Sequence, residues 1–295
     1  MESYIEGAYD LHVHSAPDVL PRLMDDVDMI DRIRNSGMKG YIIKSHYFCT
    51  AERASIINRI QSDCQAMGSI TLNSSVGGVN PTAVEMAGRA GAKLVWFPTC
   101  DNEHERAHTF NGDPNKKLPY WARIIISMKD EGIEAPTINI LDENGKLKKE
   151  AIDVIEIIRK YNMILATSHL SHDETFALVK EASKRGVEKI VITHCDFPTT
   201  FYTIEEQKEL AGYGAYMEHC YTTWATGKVA LEVALAQIRA IGPDRCFIAT
   251  DLGGKNNNVY PDEGMQAYGE KLAENGFSRS EIKKMLVDNP TSLIQ

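Results

Sequence analysis

The sequence has few of the features that mark a nucleic-acid-binding or membrane protein. Its formal net charge is −9, and it contains no basic run or stripe that could bind phosphates. No apolar stretch approaches the ~18 residues that a membrane-spanning helix needs. Residues 1–6 are acidic and lack the basic and apolar regions of a secretory signal. We therefore expect a cytoplasmic protein with no nucleic-acid or membrane partner.

Cysteine is present but not in a pattern that indicates disulfide bonds. The six cysteines form no C-x-x-C pair and are spread along the chain. This distribution is typical of reduced thiols in the core of a cytosolic protein. Hydrophobic residues make up 43% of the chain and charged residues 25%, a balance that allows a large buried core. These features predict a soluble, globular protein without cross-links.

A short segment near the N-terminus carries two histidines in a pattern that is typical of metal sites. Residues 9–14 read Tyr-Asp-Leu-His-Val-His and are predicted to form a strand. Because side chains alternate across a strand, His12 and His14 project from the same face, with Asp10 below them. The alternative is a pair of partly buried histidines, one of them hydrogen-bonded to Asp10. The segment alone does not decide between the two.

Three later apolar segments also end in residues that bind metals. They end at His169, His194 and Asp251. Each of these residues alone would be interpreted as a capping or packing residue. Together with the first two histidines they make a set of four histidines and one aspartate, which suits zinc or a similar divalent ion. We therefore predict a divalent metal as cofactor, with zinc expected and manganese or iron as alternatives.

Predicted strands and helices alternate along the whole chain. The strands lie at residues 9–14, 40–46, 70–76, 94–98, 163–169, 189–194, 214–220 and 245–251. Eight strands with their helices in about 250 residues predict an α/β fold, a single (β/α)8 TIM barrel over residues 1–295 with two extra C-terminal helices. An open, doubly wound sheet is the alternative. It is disfavoured because no G-x-G-x-x-G follows the first strand, and because a closed barrel brings distant strand ends to one mouth.

One segment after the fourth strand does not belong to the barrel pattern. Residues 100–120 are long, polar and rich in turn residues, including residues 111–114. Loops of this length in compact domains are usually functional or disordered. We interpret the segment as a long loop that forms a lid over the site, with a flexible insertion as the alternative. Residues 133–140 and the turn at 142–145 are interpreted as a short hairpin beside it.

The order of the strand-ending residues resembles the amidohydrolase superfamily. That family has a His-x-His after strand one, a histidine after strands five and six, and an aspartate after strand eight of a barrel. The matching residues are His12, His14, His169, His194 and Asp251. The resemblance extends from residue 8 to the end of the chain, because residues 288–294 are also similar to the family's C-terminal tail.

The chain departs from the binuclear members of that superfamily at one point. Those members carry a carboxylated lysine or a glutamate at the end of strand three or four. Strands three and four here end in neither residue. The resemblance therefore implies one metal ion per chain, with His12, His14, His169 and Asp251 as ligands. His194 is then either a further ligand or a group that faces the substrate.

Lys44, His46 and Glu218 are also predicted to face the barrel interior, because apolar or small residues occupy the alternate positions. Burying a charged lysine in a barrel mouth costs free energy unless the ammonium forms an ion pair or has a functional role. Lys44 could bind a carboxylate of an anionic substrate, become a carbamylated bridging ligand, or form an ion pair with Asp10 or Glu218. We favour the first role and assign all three residues to substrate binding. Glu218 could equally be an acid or base, or a structural partner of Lys44.

The resemblance implies a metal-dependent hydrolase that acts on an amide, cyclic amide, lactone or ester of a small, anionic substrate. Asp251 would accept a proton from the attacking water, and the metal or His194 would stabilise the oxyanion. The alternatives are a non-oxidative decarboxylase of the same superfamily, a metal-dependent phosphoesterase, and a non-catalytic metal-binding protein. The phosphoesterase is disfavoured because Asp251 is followed by Leu-Gly rather than by x-His. Apolar faces on the barrel helices are compatible with a homo-oligomer.

Overall fold

In the computed structural model, which describes residues 3–113 and 117–295, short strands alternate with helices. The strands are β1 (Tyr9–Val13), β2 (Gly40–Ile43), β3 (Gln65–Met67), β4 (Ser69–Thr71), β5 (Leu94–Trp96), β6 (Ile164–Ala166), β7 (Ile190–Ile192), β8 (Tyr216–Cys220) and β9 (Cys246–Ala249). All of the paired strands are parallel, in the orders β1-β2-β3 and β4-β5-β6-β7-β8-β9. The prediction of an α/β fold with parallel strands is confirmed.

Helices follow most of the strands. They are α1 (Asp26–Asn35), α2 (Ala51–Ile60), α3 (Pro81–Arg89), α4 (Glu103–Thr109), α5 (Tyr120–Asp130), α6 (Lys149–Lys160), α7 (His172–Lys184), α8 (Ile204–Gly212), α9 (Tyr221–Ala225), α10 (Leu231–Ile241), α11 (Pro261–Glu274), α12 (Arg279–Lys283) and α13 (Asn289–Ile294). Within the part of the chain that the structure describes, no helix is long and apolar enough to cross a membrane.

Strands β3 and β4 are two parts of one strand position, separated only by Gly68. A Cβ atom on Gly68 would lie 2.3 Å from the Cα atom of Ala51, at the start of α2. Only glycine allows this close approach of the helix to the strand. The predicted third strand at residues 70–76 therefore starts earlier than expected, and Ser74–Val76 forms a 3-10 turn.

Hydrogen bonds also connect the first strand with the end of the last one. The backbone N–H of His14 donates to the carbonyl of Leu252 at 2.8 Å, and that of Asp251 donates to the carbonyl of His12 at 2.9 Å. The strand ends that carry the first pair of histidines and the final aspartate are therefore adjacent in space, although about 240 positions separate them in the sequence.

Two faces of the strands bury different sets of side chains, as strand alternation requires. One apolar cluster includes Ile42, Trp96 and Phe247, and the last residues of the chain, Leu293 and Ile294, pack against it. The other faces of the strands, with Tyr41 and Val95 among their residues, pack against the apolar faces of the surrounding helices. The polar residues described below lie on the same side of the strands as Ile42, Trp96 and Phe247, nearer to the carboxyl ends of the strands.

The segment at residues 100–120 differs from the prediction of a long irregular loop. It contains α4, which begins because the Asn102 side chain accepts hydrogen bonds from the backbone N–H groups of His104 and Glu105. Pro114, part of the predicted turn, lies outside the described residues. The predicted hairpin is reduced to a single antiparallel bridge between Leu141 and Leu147.

The predicted pair of C-terminal helices is present, but the second one does not stop before Pro290. It runs from α12 through a π-helical turn at Lys284–Asp288 into α13. Pro290 lies in the first turn of α13, where its missing N–H group is not needed. The π turn changes the hydrogen-bond pattern directly before the proline, so that the helix continues.

Candidate metal centre

Three side chains from the two ends of the chain meet at one point. The Nε2 atoms of His12 and His14 each lie 3.2 Å from Oδ1 of Asp251. Zinc ligands at about 2.0–2.2 Å in tetrahedral geometry are about 3.3 Å apart, so this spacing fits a shared divalent ion. Both imidazoles are buried, and the Asp251 side chain is 21% exposed. The three donors are therefore preorganised, with the aspartate open to solvent.

The opposite ring nitrogens of the two histidines are held by acceptors. Nδ1 of His12 lies 3.1 Å from Oε1 of Glu218, and Nδ1 of His14 lies 3.0 Å from the backbone carbonyl of Lys44. Because the Glu218 carboxylate and the Lys44 carbonyl only accept, both Nδ1 atoms can donate to them, and both Nε2 atoms are then available to bind a metal ion. Such outer partners are usual for histidines that bind metals.

Burial and the nearby Arg22 cation lower the pKa of His14 to about 3. The imidazole is therefore neutral at physiological pH, as a metal ligand must be. Burial acts to raise the pKa of the Asp251 carboxyl, but contacts with His12 and His14 outweigh it and hold that pKa well below its usual value. Asp251 is thus ionised, and Thr222 donates a hydrogen bond to its second oxygen at 3.0 Å.

The backbone turns sharply where these strands end. Asp251 has a φ of +54° and His194 a φ of +51°, while Ser168, directly before His169, has a φ of +56°. Gly253 has a φ of +118°, and a Cβ atom there would lie 1.6 Å from the carbonyl oxygen of His14. The close contact between the two strand ends therefore requires glycine at this position.

Asp10 ties β1 to the strand end that carries Asp251. Its carboxylate accepts hydrogen bonds from the N–H groups of His12 and Thr250, both at 3.1 Å, and from the Thr250 hydroxyl. Burial raises the pKa of the Asp10 carboxyl to about 7, against the opposing effect of these hydrogen bonds. Asp10 therefore holds the two strand ends in place rather than facing the site.

His194 and His169 extend the site on one side. Nε2 of His194 lies 4.0 Å from Oδ2 of Asp251, and the two imidazole rings are 5.5 Å apart. Nδ1 of His194 and Nε2 of His169 are buried without a hydrogen-bond partner among the described residues. Burial lowers the pKa of His194 well below its usual value, so that its ring is neutral. Buried, unpartnered imidazole nitrogens fit a site that binds a metal or substrate.

Glu105 is a site residue that the sequence interpretation missed. Its Oε2 atom lies 3.2 Å from Nδ1 of His169, and both side chains are buried. Although burial acts to raise the pKa of Glu105, the neighbouring His169 lowers it below its usual value. The signal was the helix cap at Asn102, which places Glu105 in the first turn of α4; the segment was instead interpreted as a loop.

Lys44 lies deep in the site, not at its mouth. Its Nζ atom is 2.9 Å from Nε2 of His12 and 4.1 Å from the centre of the Trp96 ring. Burial lowers the pKa of the ammonium group, although Asp251 and Glu218 act to raise it. Among the residues that the structure describes, no carboxylate lies within ion-pair distance of Lys44. The suggested ion pair with Asp10 or Glu218 is therefore not formed.

His46 and Glu218 make different contacts around the site. The His46 ring stacks on His14 with 5.2 Å between ring centres, and its Nδ1 atom lies 2.9 Å from the Thr99 hydroxyl. Glu218 is fully buried, with one oxygen beside His12 and the other accepting from the N–H of His194 at 3.1 Å. Substrate binding by Lys44, His46 and Glu218 stays a prediction.

The chain matches a described protein family over residues 7–218, which is more than two thirds of its length. It belongs to DUF6282, a family of unknown function. The DUF6282 match contains all of the histidines described above, whereas Asp251 and the residues next to it in sequence lie beyond the match. No curated protein matches the sequence.

Solved structures resemble this DUF6282 chain over nearly its whole length. A lactonase from Listeria monocytogenes is 12% identical, with 99% of this chain and 96% of that chain covered and a TM-score of 0.59. A β-aspartyl dipeptidase from Fervidobacterium islandicum is 12% identical, with 98% and 72% covered and a TM-score of 0.63. An amidohydrolase from Pseudomonas aeruginosa is 11% identical, with 99% and 96% covered and a TM-score of 0.57. The chain therefore has the fold of these hydrolases, as the resemblance to the amidohydrolase superfamily predicted.

Proposed function

We propose that the protein is a metal-dependent hydrolase built on a closed, single-domain (β/α)8 barrel. The observation that carries the proposal is the convergence of His12, His14 and Asp251: each imidazole Nε2 lies 3.2 Å from Oδ1 of Asp251, and each ring is oriented by its own partner. The hydrogen bonds between β1 and the end of β9 support closure of the barrel. The similar structures named as a lactonase, dipeptidases and an organophosphorus hydrolase support hydrolysis as the reaction class.

The residues around the centre suit a reaction in which water is activated. A divalent ion held by His12, His14 and Asp251, with His194 or His169 beside them, would supply Lewis-acid activation of water at neutral pH. Asp251 is ionised and open to solvent on one side, so it can accept a proton from the attacking water and return it to the leaving group. His194 can orient the scissile carbonyl oxygen.

We propose zinc as the metal, one ion per chain at this centre, with manganese or iron as alternatives. Two imidazoles and a carboxylate suit all three ions, and zinc most closely matches the nitrogen-rich set. The substrate would be a small molecule with an amide, cyclic amide, lactone or ester group. We also propose that the protein is cytoplasmic, forms a homo-oligomer and has no nucleic-acid or membrane partner.

An anionic group on the substrate would bind beside the centre. The Lys44 ammonium lies 2.9 Å from His12, so a carboxylate that reaches it would also lie next to the donor atoms. A second cation, Lys228, has its ammonium group 4.3 Å from the centre of the Phe197 ring, which is 5.3 Å from the His194 ring. Both cations favour substrates that carry negative charge near the scissile bond.

The test combines metal content with a substrate screen. Protein purified without a chelator or a nickel column would be analysed for metals, stripped, and reloaded with zinc, manganese or iron. Each form would then be screened against small lactones, amides and esters with and without a carboxylate. We expect hydrolysis that disappears on stripping and returns on reloading. Failure of the His12→Ala and His14→Ala variants to change metal binding at this centre would refute the proposal, as would release of CO₂ without hydrolysis.

A further inference from the structure

A second group of potential metal ligands lies directly behind the candidate centre. Cys195 and Asp196 follow His194 in the chain, and His219 follows Glu218 in β8. The three side chains are almost completely buried, at 0%, 1% and 0% exposure. The group therefore shares its chain segments with the centre but points away from it.

The donor atoms of this group are spaced like the ligands of a single ion. Sγ of Cys195 lies 3.7 Å from Nδ1 of His219, which lies 3.2 Å from Oδ2 of Asp196. All of the donor atoms lie within 4.8 Å of one another. For a tetrahedral zinc ion with Zn–S of about 2.3 Å and Zn–N and Zn–O of about 2.0 Å, these separations would be about 3.5 Å and 3.3 Å.

Hydrogen bonds inside the group leave one atom unexplained. The Cys195 thiol can donate to the backbone carbonyl of Glu218 at 3.3 Å, and Nδ1–H of His219 can donate to Asp196. Oδ1 of Asp196, however, is buried without a hydrogen-bond partner in the described part of the chain. A buried carboxylate oxygen without a partner is costly, and no Lys or Arg side chain forms an ion pair with Asp196 among the described residues. A cation that binds both carboxylate oxygens of Asp196 would remove this cost.

We propose that Cys195, Asp196 and His219 bind a second zinc ion. A thiolate, an imidazole and a carboxylate form a mixed set that suits zinc. Binding releases the thiol proton of Cys195 to solvent, and the ring proton of His219 moves from Nδ1 to Nε2, so that Sγ and Nδ1 can both bind the zinc ion. Because the ligands adjoin His194 and Glu218, the ion would fix the backbone that positions these two residues beside the candidate centre.

The test uses cobalt, because a thiolate ligand gives a near-ultraviolet charge-transfer band that nitrogen and oxygen ligands do not. Metal-free wild-type protein would be titrated with Co²⁺ while absorbance is recorded. Cys195→Ala is the test variant, and Cys220→Ala is the matched control, since Cys220 is equally buried and lies 3.9 Å from Nδ1 of His12. We expect the band in the wild type and in Cys220→Ala, and its loss in Cys195→Ala.

Further variants separate this site from the catalytic centre. His14→Ala should keep the band and lose one of two cobalt ions per chain, while Asp196→Asn should weaken the binding that produces the band at least tenfold. Asp196→Asn also serves if Cys195→Ala does not fold, as judged by circular dichroism. The proposal is wrong if the wild type shows no band, or if the band survives Cys195→Ala and disappears in Cys220→Ala. In either case a single cobalt ion lost with His14→Ala would leave the proposed function intact.

Discussion

The Nδ1 atom of His12 lies 3.1 Å from Oε1 of Glu218, with both side chains fully buried. The other Glu218 oxygen accepts the N–H of His194. One carboxylate thus fixes the ring of a ligand from β1 and the backbone of a residue after β7. Glu218 acts on the centre from outside it, through His12.

Glu218→Gln should weaken metal binding. The amide can still accept a hydrogen bond from His12, but it lacks the charge that makes the imidazole a stronger donor to the metal. Loss of such an outer partner typically costs 10–100-fold in metal affinity. Competition with a chromophoric chelator would measure the change, with Glu274→Gln on the exposed end of α11 as the control. Equal affinities in the two variants would contradict this role.

Asp251→Asn should keep the fold and remove most of the activity. The amide cannot accept a proton, and general-base catalysis contributes about 10²–10⁴-fold to rate. The measurement is kcat on the best substrate of the screen, with metal content and circular dichroism in parallel. Asp244→Asn, a change at an exposed carboxylate, should leave kcat unchanged. Retention of activity in Asp251→Asn would exclude the proposed role of this residue.

Lys44→Met should distinguish the three roles considered for Lys44. If its ammonium binds the substrate's anion, KM for anionic substrates should rise at least tenfold, since a hydrogen bond to a charged group contributes about 1.5–3 kcal/mol. Metal content and activity on neutral substrates should be unchanged. A fall in metal content would instead indicate a carbamylated ligand, and a change in the free energy of unfolding alone would indicate a structural role.

Asp10→Asn should change how stability depends on pH. Burial raises the pKa of Asp10 to about 7 in the folded protein from 3.8, so the folded state binds a proton more tightly than the unfolded state. The stabilising effect of that proton is complete below pH 3.8 and is lost as the pH rises to about 7. The wild type should therefore lose stability relative to Asp10→Asn between these limits. Urea unfolding of both proteins at several pH values checks this; a constant difference would show that the pKa is not raised.

Gly253→Ala should disrupt the centre. A Cβ atom there would lie 1.6 Å from the carbonyl oxygen of His14, so the two strand ends must separate. Gly91→Ala is the matched control, because Gly91 also has a positive φ, +89°, but no atoms within 4 Å of the added carbon. The control should lose about 1–2 kcal/mol of unfolding free energy, whereas Gly253→Ala should lose more and also bind metal more weakly. Equal losses in urea unfolding would contradict the steric argument.

The sequence was sufficient to predict much of the fold, because its apolar segments alternate with helices and end in polar residues. The same alternation predicted that Lys44 and Glu218 face inward. It could not predict that Glu218 contacts His12, because that distance depends on how two distant strands pack. Glu105 was missed because the turn residues around it favoured the interpretation of this seven-residue helix as a loop. The last helix was wrongly predicted to stop before Pro290, because a π turn directly before the proline allows the helix to continue.

The left-handed residues at the ends of three strands have a consequence for redesign. At Ser168, His194 and Asp251 the chain changes direction abruptly. The position of each donor is then set by the strand, its sharp bend and the first residues after it, because Gly253 packs against His14 and the Thr200 hydroxyl donates to the carbonyl of His194. Loops from similar hydrolases could therefore be transplanted beyond these first residues to change substrate preference while the donor set stays in place.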